Sequence, residues 1–196
     1  SMSILVHACC GDCLLKLLHS LEKEKFFAKT ESAIFFYNPN IYPQEEYQAR
    51  LRAVKTITAE QQIKLIVPNY KPQNYFTEIK KNAKKKSDNK KEIDESFYLP
   101  NKLERCPKCW QLRLNELFSY AKDHDFTMVS STLLSSSYQN QAKIGQIAQS
   151  LSRTYKIDFY QPKNIDYYLP TSGFYKQNFC GCLYSLLEKS REKYKL

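Results

Sequence analysis

Apolar positions along the chain recur with two different periods. Ile4-Leu5-Val6 is a short apolar run, and beyond a cysteine-bearing loop Leu14, Leu15, Leu17, Leu18 and Leu21 recur at helical spacing. The pattern predicts strand, loop and helix in that order. A second apolar strand over 33–37 stops at Asn38-Pro39-Asn40, residue types that favour a turn. Good helix formers fill 44–62, and Ile63-Lys64-Leu65-Ile66-Val67 predicts a third strand before Pro68. A helix is expected over 106–125, a fourth strand over 126–131, a helix near 141–154 and a short strand over 157–160. Strands that alternate with helices predict βαβ units, hence an α/β fold with a mainly parallel sheet flanked by helices in one domain over 1–196. Such sheets hold ligands on loops leaving the carboxyl ends of strands, where the first cysteine-bearing loop lies. Residues 81–96 are polar and Lys-rich, and read as a loop or insertion around 80–96.

Composition narrows the class. A chain of 196 residues with 42% hydrophobic and 14% aromatic content can bury a proper core and is not disordered. No apolar run approaches the ~20 residues of a membrane span, so no membrane partner is expected. The run from Ser3 into Cys9-Cys10 lacks the basic start and cleavage site of a signal peptide. The expected location is therefore cytoplasmic, where thiols stay reduced. Seven cysteines, an odd number, then argue for metal or redox chemistry over a disulfide framework. The net charge of +10 fits either a polyanion-binding footprint for RNA or a solvated Lys-rich surface. Much of the excess sits in Lys80-Lys81, Lys84-Lys85-Lys86 and Lys90-Lys91, without interleaved Arg, which alone predicts a solvated loop.

Every cysteine lies in one of three short motifs: Cys9-Cys10-Gly11-Asp12-Cys13, Cys106-Pro107-Lys108-Cys109 and Cys180-Gly181-Cys182. A C-x-x-C pair aims two thiolates at one ion from a turn or helix start. Structural zinc would use Cys10, Cys13, Cys106 and Cys109 and leave three thiols over. A thioredoxin-like dithiol would use Cys106 and Cys109 alone. A [4Fe–4S] cluster takes four thiolates and leaves three for a second metal or a redox pair. The count favours iron–sulfur, with zinc still open. Asp12 reads either as the N-cap of the Leu14 helix or as an oxygen ligand or proton donor beside the metal. Tyr184, just beyond Cys182, is a further proton-donor candidate, and His7 a residue that orients the first cysteines.

Five segments, in order along the chain, carry a resemblance. They are His7-Ala8-Cys9-Cys10-Gly11-Asp12-Cys13; Phe36-Tyr37-Asn38-Pro39-Asn40-Ile41-Tyr42-Pro43-Gln44-Glu45-Glu46-Tyr47; Arg105-Cys106-Pro107-Lys108-Cys109-Trp110-Gln111-Leu112-Arg113-Leu114; Ser131-Thr132-Leu133-Leu134-Ser135-Ser136-Ser137-Tyr138-Gln139; and Gln177-Asn178-Phe179-Cys180-Gly181-Cys182-Leu183-Tyr184-Ser185. Together they resemble the QueH type of epoxyqueuosine reductase. The stretch 81–96 does not match, and Ser136-Ser137 replaces the family's usual Ser-Pro turn. The resemblance implies a Rossmann-like fold of the nucleotide-binding α-hydrolase kind. It also implies a tRNA-modifying reductase that converts epoxyqueuosine at the wobble position to queuosine without cobalamin, using an external electron donor.

The implied cofactors are a [4Fe–4S] cluster and an additional mononuclear iron. Carried over by position, Cys9, Cys10, Cys106 and Cys109 would hold the cluster. Cys180 and Cys182 would hold the extra iron, with Asp12 or Cys13 as a further ligand. Asp12, Cys13 and Tyr184 are the expected catalytic residues. Tyr37, Asn38 and Asn40 are expected to meet the modified base or ribose, and Arg105, Arg113 and the Lys-rich stretch 80–91 the phosphates. Two rival readings are a zinc-stabilised RNA-binding module and a tRNA thiolation enzyme. The second requires a Ser-Gly-Gly-rich phosphate loop after the first strand, where this chain has His7-Ala8-Cys9-Cys10-Gly11-Asp12.

Overall fold

The computed structural model of the chain describes residues 2–24, 31–81, 100–136, 139–167, 169, 173, 175 and 178–194. The expected Lys-rich loop lies outside them from residue 82 to residue 99, as does Ser137. Five strands form one all-parallel sheet: β1 (Ser3–His7), β2 (Glu31–Phe35), β3 (Lys64–Ile66), β4 (Met128–Ser131) and β5 (Asp158–Phe159). Their order is β3-β2-β1-β4-β5, with Leu5 of the central strand opposite Ala33 on one side and Val129 on the other. Among the described residues six helices connect or follow them: α1 (Gly11–Lys23), α2 (Gln44–Glu60), α3 (Pro72–Lys80), α4 (Lys102–Asp123), α5 (Gln141–Tyr155) and α6 (Leu183–Tyr194). The fold is α/β, as expected, and compatible with a Rossmann-like arrangement.

The two-residue period of a strand sends alternate side chains to opposite faces. Ile4, Val6 and Ile34 pack with Leu14, Leu17 and Leu21 of α1 and with Val54 and Ile57 of α2. Leu5, Ala33, Phe35 and Val129 pack with Leu114, Leu117 and Phe118 of α4 and Ala148 of α5. Each large apolar side chain so buried contributes roughly 1.5–3 kcal/mol of transfer free energy. Gly11 lets α1 approach α2, since a Cβ there would stand 3.0 Å from the Ala53 side chain.

Several element ends differ from the sequence expectation. Helix α4 starts at Lys102 rather than at 106, because Asn101 caps it by accepting the Leu103 amide at 3.0 Å, and Pro107 is carried inside the helix. Two helices were not anticipated. Helix α3 carries Pro72 in its first turn, where the missing N–H is an orphan anyway, and buries Tyr75 and Ile79 one turn apart. Tyr184 is the one buried residue of helix α6, so its amphipathic signal is weak.

The chain builds β1, β2 and β3 to one side of the sheet and then returns to place β4 on the other flank of β1. The carboxyl ends of β1 and β4 therefore meet where the strand order reverses, the place at which open α/β sheets hold ligands. The first cysteine motif leaves β1 there, and a short 3-10 turn, Thr132–Ser135, leaves β4 beside it.

Candidate metal centre

Cys9, Cys10 and Cys13 are buried, and their Sγ atoms all lie within 4.8 Å of one another. Backbone geometry sets this group. Cys10 is the N-cap of α1 in an extended conformation, and its Sγ accepts the Cys13 amide at 3.4 Å. Capping thus falls to Cys10, whereas Asp12 sits in the first turn and pairs with Lys16 at 2.8 Å. The β4 turn fixes the other side: Thr132 Oγ1 accepts the Cys9 amide at 3.0 Å and lies 3.2 Å from Cys9 Sγ. Ser135 Oγ donates to the Cys13 carbonyl at 2.8 Å. Hydrogen bonds from Cys10 and Cys13 hold the Cys9 thiol well below its usual value against burial, with the Arg113 charge assisting. Cys13 is pushed up by its contacts with Cys10 and Cys9 and by burial. Three thiols in this space share one negative charge readily and three only with a cation among them.

The other four cysteines, Cys106, Cys109, Cys180 and Cys182, line one pocket together with Tyr75, Asn40 and Arg113. Cys106 and Cys109 come from the first turns of α4, and burial pushes their thiols up to about 12 and about 11. Cys180 and Cys182 flank Gly181, with their Sγ atoms 3.7 Å apart. The turn needs glycine there: φ is +105°, and a Cβ would stand 2.9 Å from the Arg50 guanidinium. Cys182 forms an isolated antiparallel bridge with Ile41, and the Tyr42 amide donates to the Gly181 carbonyl at 2.9 Å.

A buried polar frame joins the two groups. His7 is fully buried; its Nδ1 lies 3.0 Å from Ser131 Oγ and its Nε2 3.1 Å from the Tyr37 carbonyl. Burial, then the nearby Arg113 charge, lower its pKa to about 3, so the imidazole is neutral at pH 7. Asn38 Nδ2 donates to the Ala8 carbonyl at 2.8 Å, and Asn38 Oδ1 accepts from Arg113 at 2.8 Å. Arg113 also brings positive charge to Cys109, favouring its thiolate. Among the described residues, Asn40 Oδ1 and the Tyr75 hydroxyl are buried with no hydrogen-bond partner of good geometry, and both residues line the four-cysteine pocket. Burial, followed by the Cys109 and Cys182 charges, raises the Tyr75 pKa, keeping that phenol protonated.

A sequence profile described as "Epoxyqueuosine reductase QueH" matches residues 4–188. This chain belongs to the QueH family. A protein named Epoxyqueuosine reductase QueH from Thermotoga maritima is 29% identical over 98% of this chain and 94% of its own length. Another so named, from Dehalococcoides mccartyi, is 27% identical over 95% of this chain and 93% of its own length. A third, from Acinetobacter baylyi, is 27% identical over 96% of this chain and 82% of its own length. Membership in QueH supports an oxidoreductase of tRNA queuosine biosynthesis. Among the described residues no helix is long and apolar enough to cross a membrane.

The residues quoted for the QueH resemblance fall into distinct places. Among the described residues, Asp12 is not part of the close group that Cys9, Cys10 and Cys13 form. Tyr184 is buried against Tyr75, Phe76 and the Arg105 guanidinium. Tyr37 is buried, its hydroxyl 3.4 Å from Asn74 Nδ2. Arg105 and Arg113 are 2% and 3% exposed, which turns them toward protein partners rather than toward an outer phosphate. Arg105 donates to the Pro100 carbonyl at 2.8 Å and to Glu188 at 2.5 Å. Tyr75, Arg50 and Thr132 escaped the sequence reading. Tyr75 lies on an unanticipated helix, and nothing in the local sequence tells Arg50 from the other charges of α2.

Proposed function

We propose that this protein is an epoxyqueuosine reductase that acts on tRNA, converting epoxyqueuosine at the wobble position to queuosine and water. The single observation that carries the reading is two groups of thiols, with the buried Arg113 charge acting on Cys9 of one and Cys109 of the other, in a chain whose relatives bear that name. The reaction breaks both C–O bonds of the epoxide and forms a C=C bond. It consumes two electrons and two protons, and the oxygen leaves as water. The electrons come one at a time from an external donor, and cobalamin is not required.

The donor set fits the implied iron–sulfur cluster and single iron. Tetrahedral thiolates with ~2.3 Å bonds to one soft ion stand roughly 3.8 Å apart, close to the spacing of Cys9, Cys10 and Cys13. That group would hold the single ion and leave a fourth position open. Cys106, Cys109, Cys180 and Cys182 surround a common pocket, an arrangement suited to a cluster in which each iron takes one thiolate. This division differs from the one the resemblance implied, which joined Cys9 and Cys10 to Cys106 and Cys109. When bound, the metals would supply one-electron transfer and a Lewis acid for the departing oxygen.

The protein's own groups do the rest. Arg113 offsets thiolate charge and, through Asn38, fixes the turn that presents Asn40. Among the described residues the Asn40 carboxamide oxygen accepts no hydrogen bond, which suits it to a base or ribose hydroxyl. The Tyr75 hydroxyl is a protonated donor inside the pocket, alongside the expected proton donors Asp12 and Tyr184. Iron, zinc and acid-labile sulfide measured in protein purified without oxygen test the reading. Iron with nearly matching sulfide and a small iron excess is expected. Zinc without sulfide, persisting through reconstitution, would sink the reductase mechanism and favour a zinc-stabilised RNA-binding module.

A further inference from the structure

The turn that carries Cys180 and Cys182 belongs to no strand, and α6 begins only at Leu183. A side chain from α2 holds it. Arg50 is 2% exposed and donates through both terminal nitrogens to the turn: to the Phe179 carbonyl at 3.2 Å and the Cys180 carbonyl at 3.4 Å. Its guanidinium lies over the Phe179 ring at 5.6 Å and against Gly181, where a Cβ would meet it at 2.9 Å. The third nitrogen, Nε, donates to Glu46 Oε1 at 2.6 Å, one helical turn earlier. The other Glu46 oxygen accepts from the Tyr175 hydroxyl at 2.5 Å. Each N–H-bearing nitrogen of the planar fork therefore has an assigned partner, and the carboxylate that orients the fork also ties down the chain just before the turn.

We infer that Arg50, oriented by Glu46, is a positioning residue that presents Cys180 and Cys182 to Cys106 and Cys109. The inference rests on the reading of these four thiols as metal ligands. A point charge cannot replace the fork. Lysine has a single nitrogen, which cannot meet two carbonyls and Glu46 from one position on α2. An arginine present only to neutralise thiolates would be rescued by lysine, whereas an arginine that shapes the turn would not. Gly181 is the counterpart of Arg50: it provides both the left-handed backbone and the flat surface on which the guanidinium rests.

The test compares full-length wild type, Arg50→Lys and Arg50→Met, purified without oxygen and reconstituted with iron and sulfide. Two readouts are taken: sulfide retained per chain with the visible absorption, and amide hydrogen exchange in chelator-treated samples. Both variants should lose metal affinity by about tenfold or more, as supporting residues around metal sites do. Exchange should accelerate about tenfold at Tyr42 and 179–182, while β1 and β4 stay protected, the mark of a local opening. Should Arg50→Met fail to fold, Arg50→Lys alone decides. Wild-type sulfide, absorption and exchange in Arg50→Lys would overturn the inference. If wild type itself held no sulfide, the metal reading would fail, while the exchange comparison would still judge Arg50.

Discussion

The two cysteine turns at the sheet edge are made by opposite means. Cys9, Cys10 and Cys13 sit between the end of β1 and the first turn of α1, so the same hydrogen bonds that begin the helix also gather the thiols. Thr132 and Ser135, from the neighbouring strand's turn, add two more bonds. Cys180 and Cys182 have no such scaffold. Their turn depends on a glycine with positive φ and on an arginine 130 positions away in sequence. A group built from strand ends and a helix cap is as durable as the core beneath it. A group built on one buried side chain can be lost while the core survives.

The largest expected effects separate the two groups outright. Cys180→Ser should eliminate bound sulfide and turnover, and Cys10→Ser should keep sulfide but remove the iron in excess of it; metal and sulfide analysis reads both. A full four-iron spectrum in Cys180→Ser would instead return the cluster to Cys9, Cys10, Cys106 and Cys109. Asn38→Ala should cost about 3 kcal/mol in denaturant unfolding, because it leaves the Ala8 carbonyl and the Arg113 guanidinium short of a buried partner. An effect near zero would mean that water or a shifted side chain takes over both bonds. Gly181→Ala should cost about 1–2 kcal/mol from backbone strain alone, with loss of sulfide out of proportion to the loss of stability. Equal loss at both thiol groups would erase the contrast between them.

The smallest effect concerns Asp12. Its pairing with Lys16 is a partly exposed, one-turn contact, so Asp12→Asn should change stability by only about 0.5 kcal/mol. Metal content is the sharper reading. Unchanged iron in Asp12→Asn agrees with the carboxylate facing Lys16, and loss of the excess iron would make it the ligand that the resemblance implied.

Much of this fold could be read along the chain because a two-period pattern is local. The apolar runs at Ile4–Val6 and over 33–37 lie in or beside β1 and β2, and the leucines of α1 mark its buried face. The alternation of types also pointed to a parallel sheet with its ligands at the carboxyl edge. Helices α3 and α6 were missed because short helices with narrow buried faces have little periodicity to show. The cysteine spacing pointed to a candidate metal centre. Which thiols stand together in space was hidden, because it depends on which turns meet in the folded chain. Arg105 and Arg113 were read as phosphate contacts by residue type, and their burial could be seen only in the packing.

The most direct test of the central claim is mass spectrometry of nucleosides from epoxyqueuosine-containing tRNA. The tRNA would be incubated anaerobically with reconstituted protein and a low-potential one-electron donor, without cobalamin. The account predicts conversion of epoxyqueuosine to queuosine, with loss of one oxygen atom, dependent on protein and donor. Unchanged epoxyqueuosine from protein shown to carry iron and sulfide would contradict it.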